Sequence, residues 1–160
     1  MVILALSGGK AKSVTMASKV DTLLSKLQRI SERNIQDQAI GLMVKHEDKV
    51  IKLNQDQMLK GIRADGTSMG SLSTFYRITK QSRFPGAPGY VNLKYFGDFQ
   101  DSMYIEDFGN YIRITSNDYK RNALVARYTG EIFGLTRENL LKMREVILPE
   151  LRELIKQQMT

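Results

Sequence analysis

Ser102-Met103-Tyr104-Ile105-Glu106-Asp107-Phe108-Gly109-Asn110-Tyr111-Ile112-Arg113-Ile114-Thr115 is the stretch on which the fold turns. Ser102–Ile105 and Tyr111–Thr115 are two short runs rich in strand-forming residues, and Phe108-Gly109-Asn110 between them carries the glycine that a short hairpin loop uses. Consecutive strands joined by so few residues pair antiparallel, because a parallel pair needs a long crossover. The flanking sequence is helical in period on both sides. The expected class is therefore α+β: long N-terminal helices, a small antiparallel sheet of three or four strands with a β-hairpin, an extended arm and a C-terminal helix.

Working back from the hairpin, Tyr90-Val91-Asn92-Leu93-Lys94-Tyr95 is rich in strand formers and is expected as a further strand. Residues 67–89 contain Gly, Ser, Thr, Pro85 and Pro88 with scattered aromatics, and are expected to form an extended arm. Connections of that length inside a compact domain usually have a function. Asp65-Gly66 is a tight-turn signal, and Gly61 stops the helical pattern before it. Upstream, Thr15–Arg33 places Val20, Leu23, Leu24, Leu27 and Ile30 on one helical stripe. Asn34 is expected to cap a second helix in which Ile35, Ala39, Met43, His46, Val50, Leu53 and Gln57 recur at steps of four or three. Such a seam suits packing along another helix, in this chain or in a neighbour. Whether residues 15–60 form one rod or two is open. Residues 1–14 are expected to be a flexible tail.

Working forward, a brief helix is expected from Asp118 to Arg127. Thr136 is a good N-cap, with Glu138 in the first turn where the helix dipole favours a carboxylate. Leu140, Leu141, Val146, Ile147, Leu148, Leu151, Leu154 and Ile155 carry the final helix over 137–160, and Pro149 is expected to kink or split it.

The chain has 160 residues, 42% hydrophobic and 26% charged, which is one ordinary globular domain. It has no cysteine, so neither disulfides nor thiolate metal sites hold it together. Neither a secretory leader nor a run of apolar residues long enough to span a membrane is expected. The net charge of +7 favours acidic partners. It is unevenly spread: no acidic residue lies between Asp65 and Asp98, where Arg77, Lys80, Arg83 and Lys94 stand.

The residues do not spell a reaction. Ser7-Gly8-Gly9-Lys10-Ala11-Lys12-Ser13 after an apolar run looks like the phosphate loop of ATP pyrophosphatases, but Ala11 stands where that motif needs Asp, and Ser13 is one residue too far. His46 is the only histidine; adjacent Glu47 and Asp48 point elsewhere on a helix. Glu106-Asp107 and Asp98/Asp101 are carboxylate pairs that read as solvated surface rather than an acid–base couple. The expectation is a protein that is not an enzyme, with no cofactor and no metal. The better candidates are partner-binding residues in the arm: Phe75, Tyr76, Arg77, Lys80, Arg83 and Phe84. Interleaved aromatics and cations suit protein interfaces and sequence-independent nucleic-acid contacts alike, and the same aromatics could simply pack the arm onto the body.

Phe96-Gly97-Asp98-Phe99-Gln100-Asp101-Ser102-Met103 resembles the Thr-Gly-x-Leu-x-x-Ser-Ile element of the tail-completion (head–tail joining, neck) structural proteins of tailed bacteriophages. There it follows a helix and opens a β-hairpin. Tyr128-Thr129-Gly130-Glu131-Ile132-Phe133-Gly134-Leu135-Thr136 is similar to that family's Tyr-Ala-x-x-x-Glu-x-Gly-Thr segment. The resemblance covers roughly residues 35–136 and gives Gly97, Ser102, Tyr128, Glu131, Gly134 and Thr136 structural roles. It implies a non-catalytic virion subunit, assembled in the host cytoplasm into a ring of identical copies. The implied partners are those copies, portal, adaptor or tail proteins, and DNA contacted without sequence preference; no membrane and no small-molecule substrate are implied. A basic nucleic-acid-binding accessory protein is the alternative.

Overall fold

The computed structural model describes residues 22, 24–25 and 32–159. The serine-glycine loop at 7–13, the tail over 1–14 and most of the expected first helix lie outside the described residues.

Helix α1 (Glu32–Lys45) and helix α2 (Glu47–Leu59) follow one another, separated by His46 at φ −103°, ψ 33°. The seam from Ile35 to Gln57 is thus carried on two helices rather than one. Asn34 falls inside α1 instead of capping it. Gly61, at φ +70°, ends α2 in a Schellman arrangement: its N–H donates to Met58 O at 2.8 Å, and that of Ile62 to Gln57 O at 3.1 Å. Asp65-Gly66 forms the expected turn, with Asp65 Oδ1 accepting from the N–H and the hydroxyl of Thr67 at 2.8 and 2.7 Å.

The segment read as an extended arm carries helix α3, Thr74–Arg83. Ser73 caps it by accepting the N–H of Tyr76 at 3.3 Å, and Pro85 follows its end, where a helix cannot continue. Tyr90–Tyr95 is not a strand. Only Tyr90 makes a bridge, to Ser71, and Leu93 has a positive φ of 53° that a regular strand excludes. Val91 and Asn92 are buried side by side, so the segment lacks the alternation of a half-buried strand.

A one-turn helix α4 (Asp98–Asp101) leads into the hairpin, β1 (Met103–Asp107) and β2 (Ile112–Ser116), in register Met103↔Ser116 to Asp107↔Ile112. The sheet has two strands among the described residues, against the three or four expected. Glu47 of α2 covers the free edge of β1, accepting the Ile105 N–H at 2.7 Å. Helix α5 (Arg121–Tyr128), a 3-10 turn (Gly130–Ile132) and helix α6 (Arg137–Met159) complete the chain. The Asn139 N–H donates to Thr136 Oγ1 at 3.3 Å, the expected cap. Helix α6 runs unsplit through Pro149.

Helix α6 lies antiparallel to α1 and α2. Gln158 bonds Asn34, Glu150 bonds Lys45 and His46, and Asn139 bonds Gln57, in reverse chain order. The seam is therefore satisfied, at least in part, within the chain. Val50 and Met58 from α2, Met143 from α6, Ile132 and Phe99 meet in the core with Ile114 of β2. The architecture is α+β, with the hairpin packed on the helices through Met103 and Ile114.

Candidate functional site

Helix α3 presents two different faces. Tyr76, Lys80 and Arg83, spaced by four and three, lie on one stripe and turn toward the segment 92–96. Phe75 and Ile78 lie on the other side, 82% and 60% exposed. Arg77 is exposed as well. The structure thus brings Tyr76, Lys80, Arg83 and Phe84 together and leaves Phe75 and Arg77 outside the group.

The inward group is organised by two rings that sequence reasoning missed, Tyr95 and Phe96. Phe84 meets them edge-on at 5.2 and 5.9 Å between centroids, and Tyr76 tilts against Tyr95 at 6.5 Å. The guanidinium of Arg83 lies 5.8 Å from the Tyr95 ring centre and 5.1 Å from that of Phe96. The acid-free stretch continues through Lys94-Tyr95-Phe96, and that continuity was the available signal.

Lys80 is the most unusual member. It is only 5% exposed, and its ammonium donates to Asn92 Oδ1 at 2.7 Å. The same oxygen accepts the Lys94 N–H at 3.2 Å. Among the described residues no carboxylate pairs with Lys80, and burial pushes its ammonium below the usual lysine range. Burial also raises the Tyr76 phenol, with Tyr95 and Tyr128 adding to the effect and Lys120 opposing it.

Tyr76, Lys80, Tyr95 and Phe96 form one wall of a cleft of about 660 Å³. Its opposite wall is Lys120 and α5, through Leu124, Arg127 and Tyr128, and its floor includes Val91, Leu93 and Phe99. The lining is mainly apolar, with four cations (Lys80, Lys94, Lys120, Arg127) and one carboxylate, Asp98. Such a cleft takes an apolar group bearing negative charge.

The motif residues serve the frame around this cleft. Gly97 stands at φ +119° before α4, a conformation that favours glycine, and a Cβ there would come 3.3 Å from Asp101 Oδ2. The Ser102 hydroxyl bonds that of Ser116 at 2.7 Å, closing the base of the hairpin, and both bond Phe99 O. Tyr128 is a cleft wall. Glu131 has an exposed side chain, and its carbonyl accepts the Ala64 N–H at 2.7 Å. Gly134 O accepts from Asn54 Nδ2 at 2.8 Å and Gln57 Nε2 at 3.2 Å.

The carboxylates considered for catalysis sit apart from the cleft or at its margin. Glu106 is held by Arg113 Nε at 2.7 Å, which keeps its carboxyl below the usual range. Asp107 is exposed at the hairpin tip, while Asp98 and Asp101 flank α4 at the surface. His46 bonds Glu150 at 2.8 Å. Among the described residues no cluster of three His, Asp or Glu side chains is placed to hold a metal, and no helix is long and apolar enough to cross a membrane.

No family model, curated protein or solved structure matches the chain.

Proposed function

We propose that this chain is a non-catalytic assembly protein, a subunit of a homo-oligomeric ring at the head–tail junction of a tailed bacteriophage. The observation that carries the assembly reading is the cation–aromatic face of α3 and its cleft. Arg83 rests on Tyr95 and Phe96, Phe75 and Ile78 stand exposed on the other side of α3, and Lys80 is buried with no counter-ion among the described residues. Aromatics and arginine are what protein interfaces enrich at their centres. The junction itself rests on the resemblance of the two motifs, one at the entry to the hairpin and one at the turn into α6. In this reading the partners are further copies and the portal, adaptor or tail proteins above and below.

The mass of the purified protein in solution, and of the particle it occupies in infected cells, tests the proposal. A hexamer or dodecamer located at the virion neck is the expected result. A protein absent from virions would overturn it.

A second reading, sequence-independent binding to nucleic acid, is favoured by one specific feature: the acid-free run from 66 to 97 with exposed Arg77 and Arg83. Salt separates the two readings, because phosphate-driven affinity falls steeply as salt rises whereas contact built on apolar area persists.

A further inference from the structure

The geometry points to a head-to-tail contact in which the hairpin tip of one copy, Asp107–Tyr111, enters the α3–α5 cleft of the next. The inference rests on the ring reading and names the surfaces that would close the ring.

The receiving side has the size and lining of a built site. Binding cavities span roughly 300–1,000 Å³ and are mostly apolar with a few placed polar groups. At about 660 Å³, lined by Leu72, Leu93, Tyr95, Leu124 and Tyr128, this cleft fits that description. At its side sits Lys80, 5% exposed, with Asn92 as its single acceptor among the described residues. An ammonium carries three N–H donors. Keeping a buried cation so incompletely partnered is costly, and a carboxylate arriving from outside would relieve that cost. Lys94, Lys120 and Arg127 add positive charge around it.

The entering side has the complementary chemistry. Phe108 and Tyr111 stack at 4.7 Å and 12°, yet remain 46% and 51% exposed. Arg113 braces one flank, lying 5.1 Å from the Phe108 ring and bonding Glu106. Asp107 uses Oδ1 to accept the Gly109 N–H at 2.7 Å, and its other carboxylate oxygen has no partner among the described residues. The tip is therefore a preformed aromatic knob carrying an available negative charge.

The chain's own tip is held away from its own cleft. The hairpin base, closed by Ser102 and Ser116, bonds the backbone of Phe99 in the cleft floor. Five strand residues at about 3.3 Å each carry the tip roughly 16 Å from that base. A knob and a socket on different parts of one subunit make a heterologous contact, which generates rings when the rotation closes. Two aromatics bury about 150–250 Å² apiece, below the roughly 800 Å² per partner of a standard interface. Ring closure multiplies such weak pairwise contacts.

The test uses the full chain in sedimentation velocity across a wide concentration range. A tip variant, Asp107→Ala with Phe108→Ala, and a rim variant, Lys120→Glu with Arg127→Glu, alter only exposed side chains. Each is expected to keep its circular dichroism spectrum and to lose self-association at least about tenfold. Mixed together, the two are expected to form a one-to-one dimer and stop there, since each retains the half that the other lacks. Three results would overturn the inference. If both variants assemble like the parent, the ring reading stands and this contact does not. If the variants fail to complement on mixing, the tip or the cleft meets some other occupant. If the parent remains a monomer at every concentration, this contact is absent, and the ring reading then depends on the virion measurement alone.

Discussion

The backbone N–H of Thr136 donates to Oε1 of Gln57 at 2.8 Å, tying the start of α6 to the middle of the core. The same oxygen accepts from Asn139 Nδ2 at 3.1 Å, and the Gln57 amide nitrogen donates to Gly134 O at 3.2 Å. One buried side chain thereby fixes the turn that redirects the chain from the cleft wall into the last helix. Replacing it with leucine keeps the volume but leaves the Thr136 N–H and the Asn139 amide without that acceptor. Gln57→Leu is expected to lower stability by about 2–3 kcal/mol, read as a reduced urea midpoint with an unchanged slope.

Gly61 and Gly66 share a positive φ, +70° and +83°, but not their surroundings. A Cβ on Gly61 would lie 2.6 Å from Tyr90 Cδ2 and 2.8 Å from Val91 O, whereas one on Gly66 meets nothing within 4 Å. Gly66→Ala is expected to cost only the backbone strain, about 1–2 kcal/mol. Gly61→Ala must in addition push the 90–91 segment away from the end of α2. It is expected to cost clearly more and to disturb the cleft floor, visible as shifted amide resonances around Val91 and Asn92.

These two turns also show what the sequence made legible. Asp65-Gly66, Phe108-Gly109-Asn110 and Thr136 act through local geometry, so residue identity alone points to the turn, the hairpin and the cap. Helix α3 was hidden because Thr74, Phe75, Tyr76, Ile78 and Thr79 are poor helix formers flanked by glycine and proline. Its two punctuation marks, Ser73 and Pro85, were present and outweighed. Tyr90–Tyr95 misled in the opposite sense. Its composition suits a strand, but part of its polar backbone is satisfied by side chains, with Asn92 Oδ1 taking the Lys94 N–H and Gln100 Nε2 reaching Asn92 O at 3.3 Å. The cation–aromatic character of the site could be read in the arm. The cleft could not, since it exists only where α5 comes to face segments far from it in the chain.

Glu150 links α6 to the junction of α1 and α2, accepting from Lys45 Nζ at 2.6 Å and sharing a hydrogen bond with His46. The Lys45 bond first, and the His46 bond after it, hold its carboxyl below the ordinary 4.5. A carboxylate with a depressed folded-state pKa contributes stability that is present above the unfolded value and lost as pH falls through the folded one. Stability is therefore expected to decline below about pH 4.5, partly through this group. Glu150→Gln should flatten that part of the acid limb by removing this contribution at neutral pH, so that the two proteins converge in stability in acid. Because the pair is partly exposed, added salt should shrink the difference.

Lys80 runs against the ordinary logic of a core, and that makes it the sharpest single test. Its charged form is disfavoured by burial, so the folded state releases the proton more readily than the unfolded chain does. The penalty is fully present below the folded pKa, and it is relieved as pH rises through that value toward the ordinary 10.5. Lys80→Met keeps the length and apolar body of the side chain and removes the ammonium. Asn92 Oδ1 retains its bond from Lys94, so no polar group is stranded outright. The variant is expected to be as stable as the parent or up to about 2 kcal/mol more stable at pH 7, and to lack the alkaline gain in stability. Self-association should nevertheless weaken, because the charge that disfavours the isolated subunit is the one that would receive a neighbour's carboxylate. A variant that is markedly destabilised would instead show that Lys80 serves the fold alone, and one that assembles normally would show that its charge is not what the contact uses.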